Sequence, residues 1–150
     1  MNKVLYIERE KIMSYYHAEV VNLSLKNVDI INNYKTIDIK KRVWGFVKIY
    51  TLLIPSEKID EAVNYFQSNM STRLKKEWYI TFHNENEVIV VFRSKIFKLS
   101  PKGISPVHGK LIDISSAEQK NEWNEMINYA KSLGIPDSQC DFLPEEFSVK

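Results

Sequence analysis

The chain contains a single cysteine, Cys140, so no disulfide can form within it, and a cytoplasmic location is predicted. Only four glycines are present, which excludes the collagen-like and glycine-rich disordered classes. The longest mainly apolar run, Ile49–Ile54, is far shorter than the roughly 18 residues that a membrane-spanning helix needs. The apolar segment Val4–Ile7 is also too short for a secretory signal. No membrane partner is therefore expected.

Familiar catalytic and cofactor motifs are missing as well. The sequence has no glycine-rich nucleotide loop, no G-x-S-x-G and no cysteine pair for zinc. The nearest approach to a metal cluster is His83-x-Glu85-x-Glu87, but a predicted turn within it breaks the alternation that would place the three side chains together. His17 and His108 could each act as a general base, although a surface or partly packed imidazole is the default. We predict no catalytic residue, no metal and no cofactor.

Charge is unevenly distributed along the chain, although its net value is only +2. Residues 1–110 carry 18 Lys and Arg against 11 Asp and Glu, whereas residues 111–150 carry 3 against 8. A basic body with an acidic C-terminal section can pair with itself or with a second copy of the chain. The imbalance therefore does not require nucleic acid as a partner.

Two amphipathic helices are predicted from apolar spacing. The first follows Pro55, with Ser56 as its N-cap and acidic residues in its first turns. The second runs from about Ser116 to Leu133, with Ser115 and Glu118 at capping-box spacing and Gly134 just past its end. Their apolar stripes are respectively Ile59, Ala62, Val63, Phe66 and Met70, and Trp123, Met126, Ile127, Ala130 and Leu133.

Strands are predicted where β-branched and aromatic residues concentrate. Val43–Ile54 is apolar on both faces, which is typical of a central strand covered on two sides. Glu77–His83 and Val88–Leu99 flank the turn residues 84–87 and predict a hairpin. Lys110–Ile114 is a further short strand, with loop before it. Residues 9–25 fit a helix that gives way to a strand, and residues 28–41 are mixed.

These elements predict one α+β domain over residues 1–150, with a mainly antiparallel sheet and two amphipathic helices. The order strand, helix, strand, strand between residues 43 and 99 matches the β-α-β-β half of a ferredoxin-like pattern. A further strand precedes the second helix, so the match is partial. If both helices cover one sheet face, the other face lacks cover, and a second copy of the chain would supply it. A homodimer is therefore predicted.

The candidate binding surface is the basic base of the predicted hairpin 73–102. If Glu85-Asn86 is the centre of the turn, Lys76 faces Lys95 across the ladder, and like charges placed opposite each other are destabilising. An anion is expected nearby, first an internal carboxylate from the acidic section after Leu111 and second a phosphate-bearing ligand. The surface comprises Arg73, Lys75, Lys76, Trp78, Arg93, Lys95 and Lys98.

Trp78 and Arg93 are predicted to be neighbours across the same hairpin. An arginine stacked on a tryptophan can form an aromatic and basic platform for a base or a phosphate. The alternative is a covered structural pair at the edge of the sheet. Lys40-Lys41-Arg42 is a second basic run, which alone is typical of a solvated strand entry.

We therefore predict a small, non-enzymatic binding or protein-interaction module that forms a homodimer. One alternative is a small enzyme with a pocket between sheet and helix, for which the support is analogy of fold alone. The other is a nucleic-acid or phosphate binder acting through hairpin 73–102. The sequence pI of about 8.5 is modest for that role, so nucleic acid is not the expected partner.

Overall fold

The structure is a computed structural model that describes residues 14–71, 78–99, 104–107, 110–114 and 117–135. Its main sheet has six strands in the order β2-β3-β1-β4-β5-β6, with every neighbouring pair antiparallel. A separate antiparallel pair, β7-β8, precedes the second of the described helices. The strands are β1 Tyr15–Val21, β2 Lys35–Arg42, β3 Val47–Pro55, β4 Tyr79–His83, β5 Val88–Phe92, β6 Ile96–Leu99, β7 Ile104–Val107 and β8 Lys110–Ile114. The helices are α1 Ile59–Ser68 and α2 Ala117–Ser132.

The two helices lie on opposite faces of the sheet. Helix α1 packs Ala62, Val63 and Phe66 against the apolar side chains of β1, β3, β4 and β5. Helix α2 packs Trp123, Met126 and Ala130 against the other faces of β5 and β6. The expectation that both helices cover one face is therefore wrong. Opposite placement creates two separate apolar clusters.

Strand β5 is buried at all five positions because it lies between the two helices. We predicted such double cover for Val43–Ile54, and that prediction is wrong. Only Leu52 and Ile54 of β3 are fully buried, while Val47, Ile49 and Leu53 are half-buried. Strand β3 is second from the sheet edge, where α2 does not extend over it.

The α+β class with an antiparallel sheet is confirmed, whereas the ferredoxin-like match is not. The order β3, α1, β4, β5 is present, and β1 lies between β3 and β4. However, the second helix covers the opposite face, and β2 and β6 extend the sheet at its two edges. The pattern of four elements is therefore embedded in a different arrangement.

Several local predictions can be compared with the backbone. Residues 15–21 form a strand rather than the predicted helix, since Tyr16, Ala18 and Val20 alternate into the core. Ser56 does not cap α1; it lies in a short 3-10 turn, and its hydroxyl is 2.6 Å from that of Ser14. Ser105-Pro106, predicted as loop, belongs to β7, which pairs with β8. The apolar segment Val4–Ile7, Ser115, His108 and Cys140 lie outside the described residues.

The end of α2 agrees with the sequence. Gly134 has φ +86°, a conformation that glycine adopts with little strain. Its N–H donates to the carbonyl of Lys131, and the N–H of the buried Ile135 donates to the carbonyl of Ala130. These two bonds form a Schellman motif, which satisfies carbonyls left open at the end of the helix.

Candidate functional site

The predicted basic hairpin is not a single hairpin, because the chain reverses a second time after Phe92. Its first turn is as expected, because β4 and β5 pair with His83 opposite Val88. The predicted second strand Val88–Leu99 is instead two strands, joined by a reversal at Arg93-Ser94. There the N–H of Phe92 donates to the carbonyl of Lys95 at 2.7 Å. The β4–β5 ladder ends at Tyr79 opposite Phe92, and Lys95 instead bonds back to Phe92, so Lys95 does not extend this ladder as predicted.

The described basic residues of this surface make local contacts. The Lys95 ammonium lies over the rings of Phe97 and Tyr129, at 5.0 and 5.5 Å from their centroids. The Lys98 Nζ is 3.9 Å from Asp60 Oδ1, and both side chains are mostly exposed, so this pair stabilises the fold little. This carboxylate belongs to α1, and most of the acidic section after Leu111 lies outside the described residues. Arg73, Lys75 and Lys76 lie outside the described residues.

Trp78 is half-buried and packs against the cluster beneath α2. Its ring stacks on Tyr79, with centroids 5.1 Å apart and an interplanar angle of 19°. The stacking partner that the structure shows for Trp78 is therefore Tyr79, the next residue along the chain. Arg93 is exposed at the β5–β6 reversal.

Among the described residues, the most exposed aromatic side chains occur at the opposite end of the sheet order, where β2 turns into β3. Residues Val43–Gly45 form a tight turn rather than the start of the predicted strand. Trp44 is 99% exposed and Phe46 is 73% exposed. We call Trp44, Gly45 and Phe46 the aromatic tip. Large aromatic residues dominate burial in most cores, so two of them in solvent at one turn indicate a contact surface.

The backbone of the aromatic tip is unusual for its residues. Trp44 has φ 54° and ψ 30°, and Gly45 has φ 89°. Positive φ at both central residues is the pattern of a type I′ hairpin turn, which strongly prefers Asn-Gly or Asp-Gly. Gly45 suits its position, whereas a bulky side chain in the left-handed region is an outlier. Trp44 is the only non-glycine residue with positive φ in the described chain.

Cations surround the hairpin immediately behind the aromatic tip. Arg42 pairs with Val47 on the rung next to the turn, and Lys41 faces Lys48 on the following rung. Lys40, opposite Ile49, points to the same face as Arg42, because alternate residues share a face. We call Lys40, Lys41, Arg42 and Lys48 the basic collar. The opposition of like charges that we expected at Lys76 and Lys95 occurs here, between Lys41 and Lys48.

Neither of these two lysines has an ion-pair partner within the described residues. All eight residues of β2 are exposed, so the collar faces solvent on both sides of the hairpin. Lysines directly opposite each other destabilise a strand pair. An external anion would offset this repulsion.

Asn22 anchors the base of the same hairpin. Its side-chain amide donates to the carbonyl of Phe46 at 3.2 Å, and its Oδ1 accepts from the N–H of Lys48 at 3.0 Å. The same oxygen accepts from the N–H of Leu23 at 2.9 Å. These bonds tie the start of β3 to the corner that follows β1, so the tip projects from a fixed base.

A cleft of about 460 Å³ lies where the starts of β1 and β2 meet the end of β3. Burial raises the pKa of the Tyr34 hydroxyl, and the nearby Glu61 raises it further, so this phenol stays protonated and can donate a hydrogen bond at neutral pH. The cleft therefore offers two ammonium groups and two phenols but brings no imidazole to a carboxylate. Its lining is Tyr15, Asn33, Tyr34, Lys35, Leu53, Pro55 and Lys58.

His17, one of the two predicted general-base candidates, lies beside His83 of the predicted metal cluster. His17 on β1 lies opposite His83 on β4, and their rings stack with centroids 5.4 Å apart. Glu85 is exposed at the turn, while Glu87 lies 3.5 Å from the Tyr16 hydroxyl. Over the described ranges, no group of three or more potential metal ligands is brought together.

Sequence reasoning missed the aromatic tip because it assigned Trp44 and Phe46 to a buried strand. Two signals in the sequence point to a turn. Gly45 interrupts an otherwise β-branched and aromatic run, and the charged run at residues 40–42 does not suit a strand covered on both faces.

Comparison of the chain with known protein families, with curated proteins and with solved structures finds no significant match. Neither helix in the portion of the chain that the structure describes is long and apolar enough to cross a membrane.

Proposed function

We propose that this protein is a non-enzymatic binding module that contacts an anionic partner through the aromatic tip and the basic collar. The observation that carries this proposal is Trp44, which is 99% exposed and held in a left-handed backbone conformation. Neither property contributes to the stability of the fold. Strained residues that persist in a structure are concentrated at functional sites.

The energetic cost of the Trp44 backbone conformation favours a binding role over a role in stabilising the fold. A non-glycine residue in the left-handed region costs about 1–2 kcal/mol, and Asn tolerates that region better than Trp. With its side chain in solvent, Trp44 recovers none of this cost through burial. A sequence selected only for stability would place Asn before Gly45, so binding offers a reason for Trp.

The first test is the variant Trp44→Asn. We expect its free energy of unfolding to rise by up to about 1 kcal/mol, because Asn-Gly is the preferred pair for a type I′ turn. A urea titration followed by far-UV circular dichroism measures this change. Stability that falls by more than about 1 kcal/mol would show that Trp44 supports the fold, and the proposal would lose its main support.

Binding is measured on the same variant with a fixed set of anionic probes: lipid vesicles, single- and double-stranded oligonucleotides, and an acidic peptide. The wild-type chain should bind one of them, and Trp44→Asn should weaken that binding by at least about tenfold. Tyr65→Asn is the matched control, since Tyr65 is an exposed aromatic residue on α1, away from the tip. Failure of the wild-type chain to bind any probe, or equal binding by Trp44→Asn, would contradict the proposal.

We also propose that the chain forms a homodimer through an apolar strip on β1 and β3. On the α2 side of the sheet, these strands present a half-buried apolar strip outside the cluster of that helix, formed by Val21, Val47 and Ile49. Thr51, with Glu19 opposite it, separates this strip from Leu53. A second copy could cover this strip face to face. Edge-to-edge pairing through β2 is disfavoured, because its lysines and the irregularity between Thr36 and Asp38 obstruct strand addition.

Light scattering at micromolar concentration tests this assembly. A dimer should show twice the chain mass of 17.7 kDa, and Ile49→Lys should return it to the monomer by placing a charge in the strip. Ile39→Lys, on the opposite face of the same edge, is the control. A clean monomer for the wild-type chain would exclude the dimer at that concentration.

A further inference from the structure

We infer that the partner of the aromatic tip is the surface of an anionic lipid membrane, an inference that rests on the function proposed above. The tip lies at the end of the hairpin, and the collar lies behind it, closer to the body of the sheet. Residues 43–47 form the end of the hairpin and carry no charge. The cations begin on the Arg42–Val47 rung and continue on the Lys41–Lys48 rung behind it. Each residue along a strand advances by about 3.4 Å, so the collar starts within about 7 Å of the turn.

This spacing fits the dimensions of a lipid interface. Peripheral elements bury their apolar side chains about 5–10 Å into the boundary between headgroups and acyl chains. Trp is enriched at that boundary because its ring is apolar and its N–H can still meet water. With Trp44 and Phe46 at that depth, the basic collar reaches the level of the lipid phosphates. Anionic lipids would then supply the charge that offsets the opposition of Lys41 and Lys48.

The shape of the tip favours a membrane over nucleic acid. Proteins that bind single strands combine a positively charged groove with aromatic side chains on which the bases stack. Here the aromatic side chains project from a convex turn and precede the cations, and Trp44 is 99% exposed. A lipid interface can deform around a projecting apolar wedge. A single strand of nucleic acid instead needs a groove that holds it, and the tip has the opposite, convex shape.

The absence of a long apolar run, from which we expected no membrane partner, concerns segments that cross a bilayer. Shallow docking has a smaller requirement: two exposed aromatic side chains and a few cations at one end of a rigid element. The bonds of Asn22 to Phe46 and Lys48 supply that rigidity, since they hold the base of the hairpin to the body of the sheet.

The experiment compares vesicles of phosphatidylcholine alone with vesicles that also contain phosphatidylserine, using co-sedimentation and tryptophan fluorescence. The wild-type chain should bind only the anionic vesicles, bind more weakly as salt rises, and shift its emission to shorter wavelength on binding. Trp44→Asn should lose that shift and at least about tenfold in affinity. Lys41→Gln with Lys48→Gln should lower affinity by about thirtyfold.

The matched control is the double variant Lys95→Gln with Lys98→Gln. It removes the same charge from Lys95, which directly precedes β6, and from Lys98 on β6, at the other edge of the sheet, and should bind like the wild-type chain. Equal losses in both double variants would overturn the assignment to the tip. Oligonucleotide or peptide binding that depends on Trp44, without vesicle binding, would overturn the membrane inference and leave the proposed function standing. No binding to any probe would overturn both.

Discussion

Replacement of Phe66 by alanine is expected to lower the free energy of unfolding by about 3–5 kcal/mol. Phe66 is fully buried on the inner face of α1. Its ring centroid is 5.8 Å from that of Phe82, in an edge-on contact, and 5.6 Å from that of Tyr34. The variant removes most of a large apolar side chain and leaves a cavity between α1 and the sheet. Total stabilities of natural domains are about 5–15 kcal/mol, so this loss could exhaust much of the stability.

Urea denaturation at equilibrium measures the effect. Tyr65→Ala is a suitable control, because the adjacent residue on α1 is exposed and its truncation should change stability by no more than about 0.5 kcal/mol. A loss below about 1 kcal/mol for Phe66→Ala would mean that the inner face of α1 has been assigned incorrectly.

Trp123→Ala is expected to cost a similar amount, about 3–5 kcal/mol, in the second cluster. Trp123 is nearly fully buried where α2 packs on β5 and β6, in the same cluster as Phe92 and Phe97. Loss of the indole should weaken the docking of α2 while the α1 side of the sheet keeps its own contacts. Hydrogen exchange should therefore show lost protection first in α2.

Asn124→Ala serves as the control for this position, because Asn124 is the next residue on α2 and is exposed. It should leave stability nearly unchanged. If Trp123→Ala also left stability and the exchange of α2 amides unchanged, α2 would not be docked as described.

Local patterns in the sequence correctly predicted both helices and the turn between β4 and β5. The stripe of α1 is visible because buried residues recur with the helical period, from Ala62 to Phe66. Gly134 marks the end of α2 because a Schellman motif needs positive φ at one position. In the turn, Asn84 Oδ1 accepts bonds from the N–H groups of Asn86 and Glu87, a local contact that Asn makes readily. Each of these features depends on residues only a few positions apart.

The reversal at Arg93-Ser94 was missed because its residues carry no glycine or proline to mark a turn. Two apolar runs on either side of it, β5 and β6, resemble one continuous strand in the sequence. The same ambiguity led us to join Trp44 and Phe46 to β3. Apolar and aromatic residues favour strands by composition, but composition does not show whether a given side chain faces a core or solvent.

By itself, the sequence determined the α+β class, the two helices with their buried stripes, and the presence of clustered cations next to aromatic residues. Only the tertiary structure decided which aromatic residues are buried. Placement of α1 and α2 on opposite faces covers β5 twice and leaves Trp44 and Phe46 beyond both helices. Helical periods and turn bonds arise within a few residues of chain, whereas cover over a strand is supplied by elements distant in sequence, and its extent depends on where they pack.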